Sequence, residues 1–226
     1  MSKIYIQTDG KWKLANPTPN LIFVIGPGAG CYANRHAYHY LEQNYKVEYF
    51  CKTSKDSKSK FDVYPPDWHD NNFVSNEGEH LGGISTLIYQ CIQKNYIPQA
   101  IICGSRGGQV TIGKIWESFW RGPTLMINAG CLTTNTRIPK QVSLLFIIMK
   151  NDYFSSVNSI SKIKILFNNL KMKPDQKARV FYLLKHSHMP NLNIEFQSLL
   201  NNGIDLILGK RIIENTKNSS IIVDTI

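Results

Sequence analysis

The stretch Gln-Ala-Ile-Ile-Cys-Gly-Ser-Arg-Gly-Gly-Gln at residues 99–109 constrains this chain more than any other. Residues 100–103 read as a buried strand that runs straight into a turn of small residues with Ser105 at its apex, and helical spacing follows over 110–120. A strand that reverses sharply into a helix needs small neighbours, because backbone and any ligand must approach each other closely there. Cys103 and Gly107, two positions either side of Ser105, meet that demand. This is the pattern of a nucleophile elbow, which holds a serine hydroxyl exposed above the end of a strand. A serine that only caps the following helix is the simpler alternative.

The flanking chain alternates strand and helix signals. Residues 3–14 alternate around Asp9-Gly10, with Ile4 and Ile6 before it and Trp12 and Leu14 after it, which is a hairpin pattern. Leu21 to Ile25 is wholly apolar, as a strand covered on both faces would be, and it feeds into Gly26-Pro27-Gly28-Ala29-Gly30. A helix is expected from about 32 to 43 and a strand over 46–51. Residues 52–79 dissolve into Ser, Lys, Asp, Pro and Asn, a loop long enough to border a pocket with Trp68, His69 and Phe73. Helical spacing returns over 82–94, then come strands at 124–128, 142–149 and 178–184, with helices at 156–170 and 193–202. The tail over 215–226 carries no pattern that assigns it.

An opening hairpin followed by this alternation implies a mostly parallel sheet with helices on both faces, a three-layer α/β sandwich within one domain over residues 1–226. Ligands in such sheets gather at the carboxyl ends of the strands. Ser105 follows one strand, Asp152 the strand at 142–149, and His186 and His188 the strand at 178–184, while the glycine loop follows Ile25. A serine hydroxyl needs a base to take its proton, and the base needs an acid to orient it. Those three residue types occur here in the order Ser, Asp, His, each just past an expected strand.

From the hairpin to the closing helix, roughly residues 3–205, the chain resembles the α/β-hydrolase superfamily. The resemblance implies a serine hydrolase acting on a carboxylic ester or thioester through an acyl-enzyme, with Ser105 as nucleophile, His188 as base and Asp152 as acid. His188 is preferred to His186 because His-Met-Pro resembles the histidine loop of that family. Asp175 and Asp70 are less well placed than Asp152. Pro27 has no N–H, so the oxyanion donors implied are the N–H of Arg106 and that of Gly28 or Ala29. Only a short link joins the strands at 124–128 and 142–149, so the large cap of many such enzymes is missing. The partner implied is a small ester or acyl substrate. Pro27, and Ile25 where a histidine commonly stands, support the rival reading of a non-catalytic binding protein on the same fold.

Other chemistries fit less well. A phosphate-binding loop needs Lys and Ser/Thr after its last glycine, where this chain has Cys31 and Tyr32, so nucleotide binding is disfavoured. His186 and His188 have chelate spacing but no cysteine or carboxylate cluster beside them; no metal and no cofactor are expected. Trp116, Phe119 and Trp120 read as packing residues. The formal net charge of +10 gathers in lysines at 52–60 and 162–173 and in Lys210 and Arg211, without zinc-finger, aromatic RNA-binding or basic heptad signatures, which argues against nucleic acid. No apolar run reaches the roughly 18 residues that span a bilayer. Five irregularly spaced cysteines and an N-terminus without an apolar core suggest the cytoplasm.

Overall fold

The computed structural model describes residues 3–25, 41–50, 77–105, 107–129, 133–139, 141–142, 144–149, 159, 161–162, 165–166, 180–184, 194–210 and 222–225. The chain opens with β1 (Tyr5–Thr8) and β2 (Lys11–Leu14), antiparallel across Asp9 and Gly10. Both turn residues have positive φ, 51° and 72°, as a two-residue turn matched to the strand twist requires. Five parallel-sheet strands follow in sequence: β3 (Leu21–Ile25), β4 (Lys46–Phe50), β5 (Ala100–Gly104), then β7 (Thr124–Ile127) and β8 (Leu144–Met149). β9 (Val180–Leu184) is the sixth. Their order across the sheet is β4-β3-β5-β7-β8-β9, all parallel, and β10 (Ile222–Thr225) closes the β9 edge antiparallel.

The apolar strands divide their side chains between two cores. Leu21, Phe23, Ile25, Ile101, Cys103 and Met126 face one way and pack with Ile84, Ile88 and Ile92 of α1 (Glu77–Gln93) and with Val110, Ile115 and Trp116. Ile22, Val24, Ala100, Ile102, Leu125 and Ile127 face the other way, against Leu200, Ile204 and Ile207 of α4 (Ile194–Ile207) and Leu41. The period-2 alternation of a strand buried on both faces thus yields the expected three layers.

The opening hairpin forms as expected and lies outside the parallel sheet: β1 pairs with β6 (Trp120–Arg121) in a separate three-stranded sheet. Trp120 therefore leaves the helical run in which its spacing put it: the helix comprises α2 (Gly107–Val110), a π-helical turn (Thr111–Ile115) and α3 (Trp116–Ser118), and ends before it. Pairing of Trp120 with Ile6, and of the Phe119 carbonyl with the Gln7 N–H at 3.1 Å, overrides local helical preference. The long polar loop is also shorter than its composition implies, because residues 77–79 already belong to α1. The tail, unassignable from pattern, contains β10. Of the helix expected over 156–170, residues 161–162 and 165–166 are helical and most of the rest lies outside the described residues, as does the helix expected near 32–43.

At the β4 edge, the Tyr96 hydroxyl donates to Glu48 Oε1 at 2.7 Å and the Tyr96 ring stacks near Phe23, 6.0 Å between centroids. Burial and the Glu48 carboxylate push the Tyr96 phenol well above its ordinary value of 10.0. The unfolded chain therefore loses that proton first, so this contribution to stability is intact below about pH 10 and falls as pH rises past it. Tyr96→Phe is expected to show a shallower alkaline loss of stability than the parent, read from urea midpoints between about pH 8 and about pH 11. Within the π-helical turn, Gly113 is exposed and a methyl group there would meet nothing within 4 Å. Gly113→Ala should raise stability by about 0.5–1 kcal/mol in chemical denaturation, since it only restricts the unfolded chain.

Candidate active site

All five residues of β5 are buried, and the chain turns at once after Gly104. Ser105 sits half-buried at that turn with φ +47°, a left-handed backbone that costs a non-glycine residue about 1–3 kcal/mol unless its surroundings enforce it. They do so from both sides. The Ser105 N–H donates to the Ile127 carbonyl at 3.0 Å, which carries the β5–β7 ladder one residue past the strand. The Ser105 carbonyl accepts from the Gly108 N–H at 3.1 Å, which closes the turn into the helix. Thr111 Oγ1 then donates to the Gly107 carbonyl at 2.9 Å, and the π-helical turn begins at that threonine. An over-wide turn of this kind is frequently found at functional sites.

The helix starts unusually close to the neighbouring strand end. A Cβ built on Gly108 would lie 2.5 Å from Ala129 Cβ and 3.1 Å from Ala129 Cα. No side chain fits there, so the small-residue requirement of the turn extends to Gly108, a position that spacing around Ser105 did not single out. Asn128, 2% exposed, ends β7 with φ +45°, and its N–H donates to the Ile147 carbonyl at 3.0 Å. Sequence reading made Asn128 the last residue of a strand; the signal for a left-handed turn was the residue type itself, since asparagine tolerates that backbone better than most. The two adjacent central strands thus finish in the same way, at Ser105 and at Asn128.

Strand order explains why this edge is the place for chemistry. The chain runs from β3 outward to β4, then returns to the other side of β3 with β5 and continues through β7, β8 and β9. The order reverses between β3 and β5, the point at which open α/β sheets place their ligands, at the carboxyl ends of the strands. Register puts Ile25 beside Cys103 at that point. Gly26-Pro27-Gly28-Ala29-Gly30 follows Ile25 in sequence, Asp152 follows Met149 of β8, and His186 and His188 follow Leu184 of β9. Arg106, Gly28, Ala29, Asp152, His186 and His188 all lie outside the described residues, so among the expected site residues Ser105 alone has described geometry. What the structure brings to one edge is the set of strands that carry them. Among the described residues no three His, Cys, Asp or Glu side chains cluster as metal ligands, and no helix is long and apolar enough to cross a membrane.

No protein-family model matches the chain, and no curated protein matches it by sequence. Solved structures do match in fold. The esterase Pf2001 from Pyrococcus furiosus is 10% identical, with a TM-score of 0.54 over 92% of this chain and 91% of its own. Protein ATU1826 from Agrobacterium tumefaciens, a candidate alpha/beta hydrolase, is 13% identical at TM-score 0.52, covering 94% of this chain and 99% of its own. The chain has the α/β-hydrolase fold. Thermus thermophilus TT1662 shares it as well, at 14% identity and TM-score 0.53 over 91% and 99%. Ser105 occupies the turn directly after the central strand β5 of this fold.

The close approach at Gly108 generates a direct test of this turn. Gly108→Ala is expected to destabilise the protein by about 1–3 kcal/mol, the usual range for forcing a methyl group into a packed site. Urea denaturation measures it; a change below about 0.5 kcal/mol would mean the helix start can shift freely.

Proposed function

We propose that the chain is a serine hydrolase that cleaves a carboxylic ester or thioester, acting as one domain over residues 1–226. The observation that carries this reading is the left-handed, enforced backbone of Ser105 at the end of the central strand, beside the point where strand order reverses. A serine kept in that strained conformation is displayed above the sheet rather than folded into it.

In this mechanism Ser105 Oγ attacks the substrate carbonyl while His188 accepts its proton. The tetrahedral oxyanion receives hydrogen bonds from the Arg106 N–H and from the N–H of Gly28 or Ala29, each donor contributing about 3 kcal/mol in enzymes of this kind. Collapse breaks the bond to the leaving alcohol or thiol, which takes the proton from His188 and leaves an acyl-serine. Water, deprotonated by His188, then releases the carboxylic acid and restores Ser105. Asp152 holds the imidazole in the required tautomer and stabilises its charged form.

Reach supports His188 over His186. Neighbouring strands lie about 4.8 Å apart, so β9 stands roughly 14 Å from β5 with β7 and β8 between them. The four residues from Leu184 to His188 can extend about 13–14 Å, whereas the two residues to His186 extend only about 7 Å. The esterase among the structural neighbours favours the same reaction class. The absence of a sizeable insertion between β7 and β8 favours an open site suited to a small ester or to an acyl group on a larger carrier. Pro27 favours the second reading, a binding protein with an incomplete oxyanion hole, because one backbone donor of the glycine loop is lost.

A fluorophosphonate probe separates the two. The parent chain is expected to be labelled covalently and Ser105→Ala is not, with hydrolysis of a p-nitrophenyl ester falling by about 10³-fold or more. A folded parent that takes no label, or a Ser105→Ala variant that takes as much, would sink the enzyme reading.

A further inference from the structure

A cavity of about 360 Å³, far from Ser105, is lined by Ile112, Trp116, Glu117, Arg121, Arg137, Ile138, Pro139 and Gln141. It lies towards the amino ends of the strands. Arg121 precedes β7, Gln141 precedes β8, and the helix that starts beside Ser105 carries Trp116 roughly 14 Å away from Gly107 at about 1.5 Å per residue. The volume corresponds to about a dozen waters at roughly 30 Å³ each, within the lower range of small-molecule sites.

The lining is chemically divided. Ile112, Ile138 and Pro139 supply half-buried apolar surface over the buried Trp116, and Arg121, Arg137 and Gln141 supply donors. Arg121 is fixed in place: its Nε donates to the Trp116 carbonyl at 2.7 Å, its Nη1 donates to Gln141 Oε1 at 3.2 Å, and its guanidinium carbon stands 3.8 Å over the Trp12 ring. All three contacts are with neutral groups, and among the described residues they leave three of its five N–H donors without a partner. Burial pulls the Arg121 guanidinium below its ordinary value, a sign that its charge is partly stripped of water, while Glu117 acts in the opposite direction. Glu117 is exposed and shares the wall without an ion-pair contact to either arginine among the described residues.

We propose that this cavity binds a small organic monoanion, a carboxylate joined to an apolar body, at a site separate from Ser105. Among the described lining residues, two guanidiniums and one carboxylate leave a net charge of +1, which a monoanion neutralises. A phosphate dianion would overshoot that balance and face Glu117. A planar carboxylate matches the fork of a guanidinium that its other contacts already hold still, and little side-chain freedom remains to be lost at Arg121. The apolar body rests against Ile112, Ile138 and Pro139. Arg137, exposed and without an ion-pair partner among the described residues, closes over the charged end.

Titration calorimetry of the full chain with sodium benzoate tests this, with benzamide as the uncharged analogue and inorganic phosphate as the dianion. Benzoate is expected to saturate with Kd of about 1 mM or below, and benzamide and phosphate to bind at least about tenfold more weakly. Arg137→Ala should weaken benzoate by at least about tenfold, the loss of one charged hydrogen bond, with an unchanged thermal midpoint, and Arg137→Lys should recover part of it. No saturable benzoate binding up to about 10 mM, equal binding of benzamide, or an Arg137→Ala effect below about tenfold would overturn the proposal.

Discussion

The contact between Gly108 and Ala129 is the constraint on which the candidate site depends. It allows the helix to begin almost against the end of β7, and so forces the chain to reverse within a single residue of β5. That residue is Ser105, and its left-handed backbone follows from the lack of room for any wider turn. The hydrogen bonds from Ser105 N–H to Ile127 and from Gly108 N–H to the Ser105 carbonyl then fix it on either side. Backbone strain, ladder register and helix placement are here one arrangement, since releasing any of them would let the others relax.

Such an arrangement needs a rigid base, and the two-sided burial of the central strands supplies it. Leu21 to Ile25 and Ala100 to Cys103 are each completely buried, with successive side chains sent to opposite cores. Packing as dense as this transmits displacement rather than absorbing it. The turn that carries Ser105 rests on a base that cannot easily yield.

The parts legible in the sequence are those set by local chemistry. The Asp9-Gly10 turn, the apolar strand Leu21–Ile25 and the small-residue turn at Ser105 each carry their cause within a few residues. What escaped depends on partners distant in sequence. Trp120 has the spacing of a helix residue and becomes a strand residue because Ile6 pairs with it. β10 is four residues of no distinctive pattern that acquire their form from β9. Gly108 looks like one more small residue in a glycine-rich turn until Ala129 is seen above it. Asn128 differs in kind: its tolerance of a left-handed backbone was visible, but its apolar neighbours disguised it as strand. The acid and base of the proposed triad were read from order along the chain, and their geometry lies outside the described residues.

The strand order has a kinetic consequence. β5 meets β7 after a short crossover through the helix that starts at Gly107, whereas its contact with β3 must close a loop running from Ile25 to Ala100. Loop closure grows costlier with the logarithm of length, and distant pairings form late in folding. The Ser105 turn therefore belongs to the most local unit of the sheet, and β3 joins it from a distant one. A folding intermediate of this chain would hold its serine turn before β3 had paired beside it.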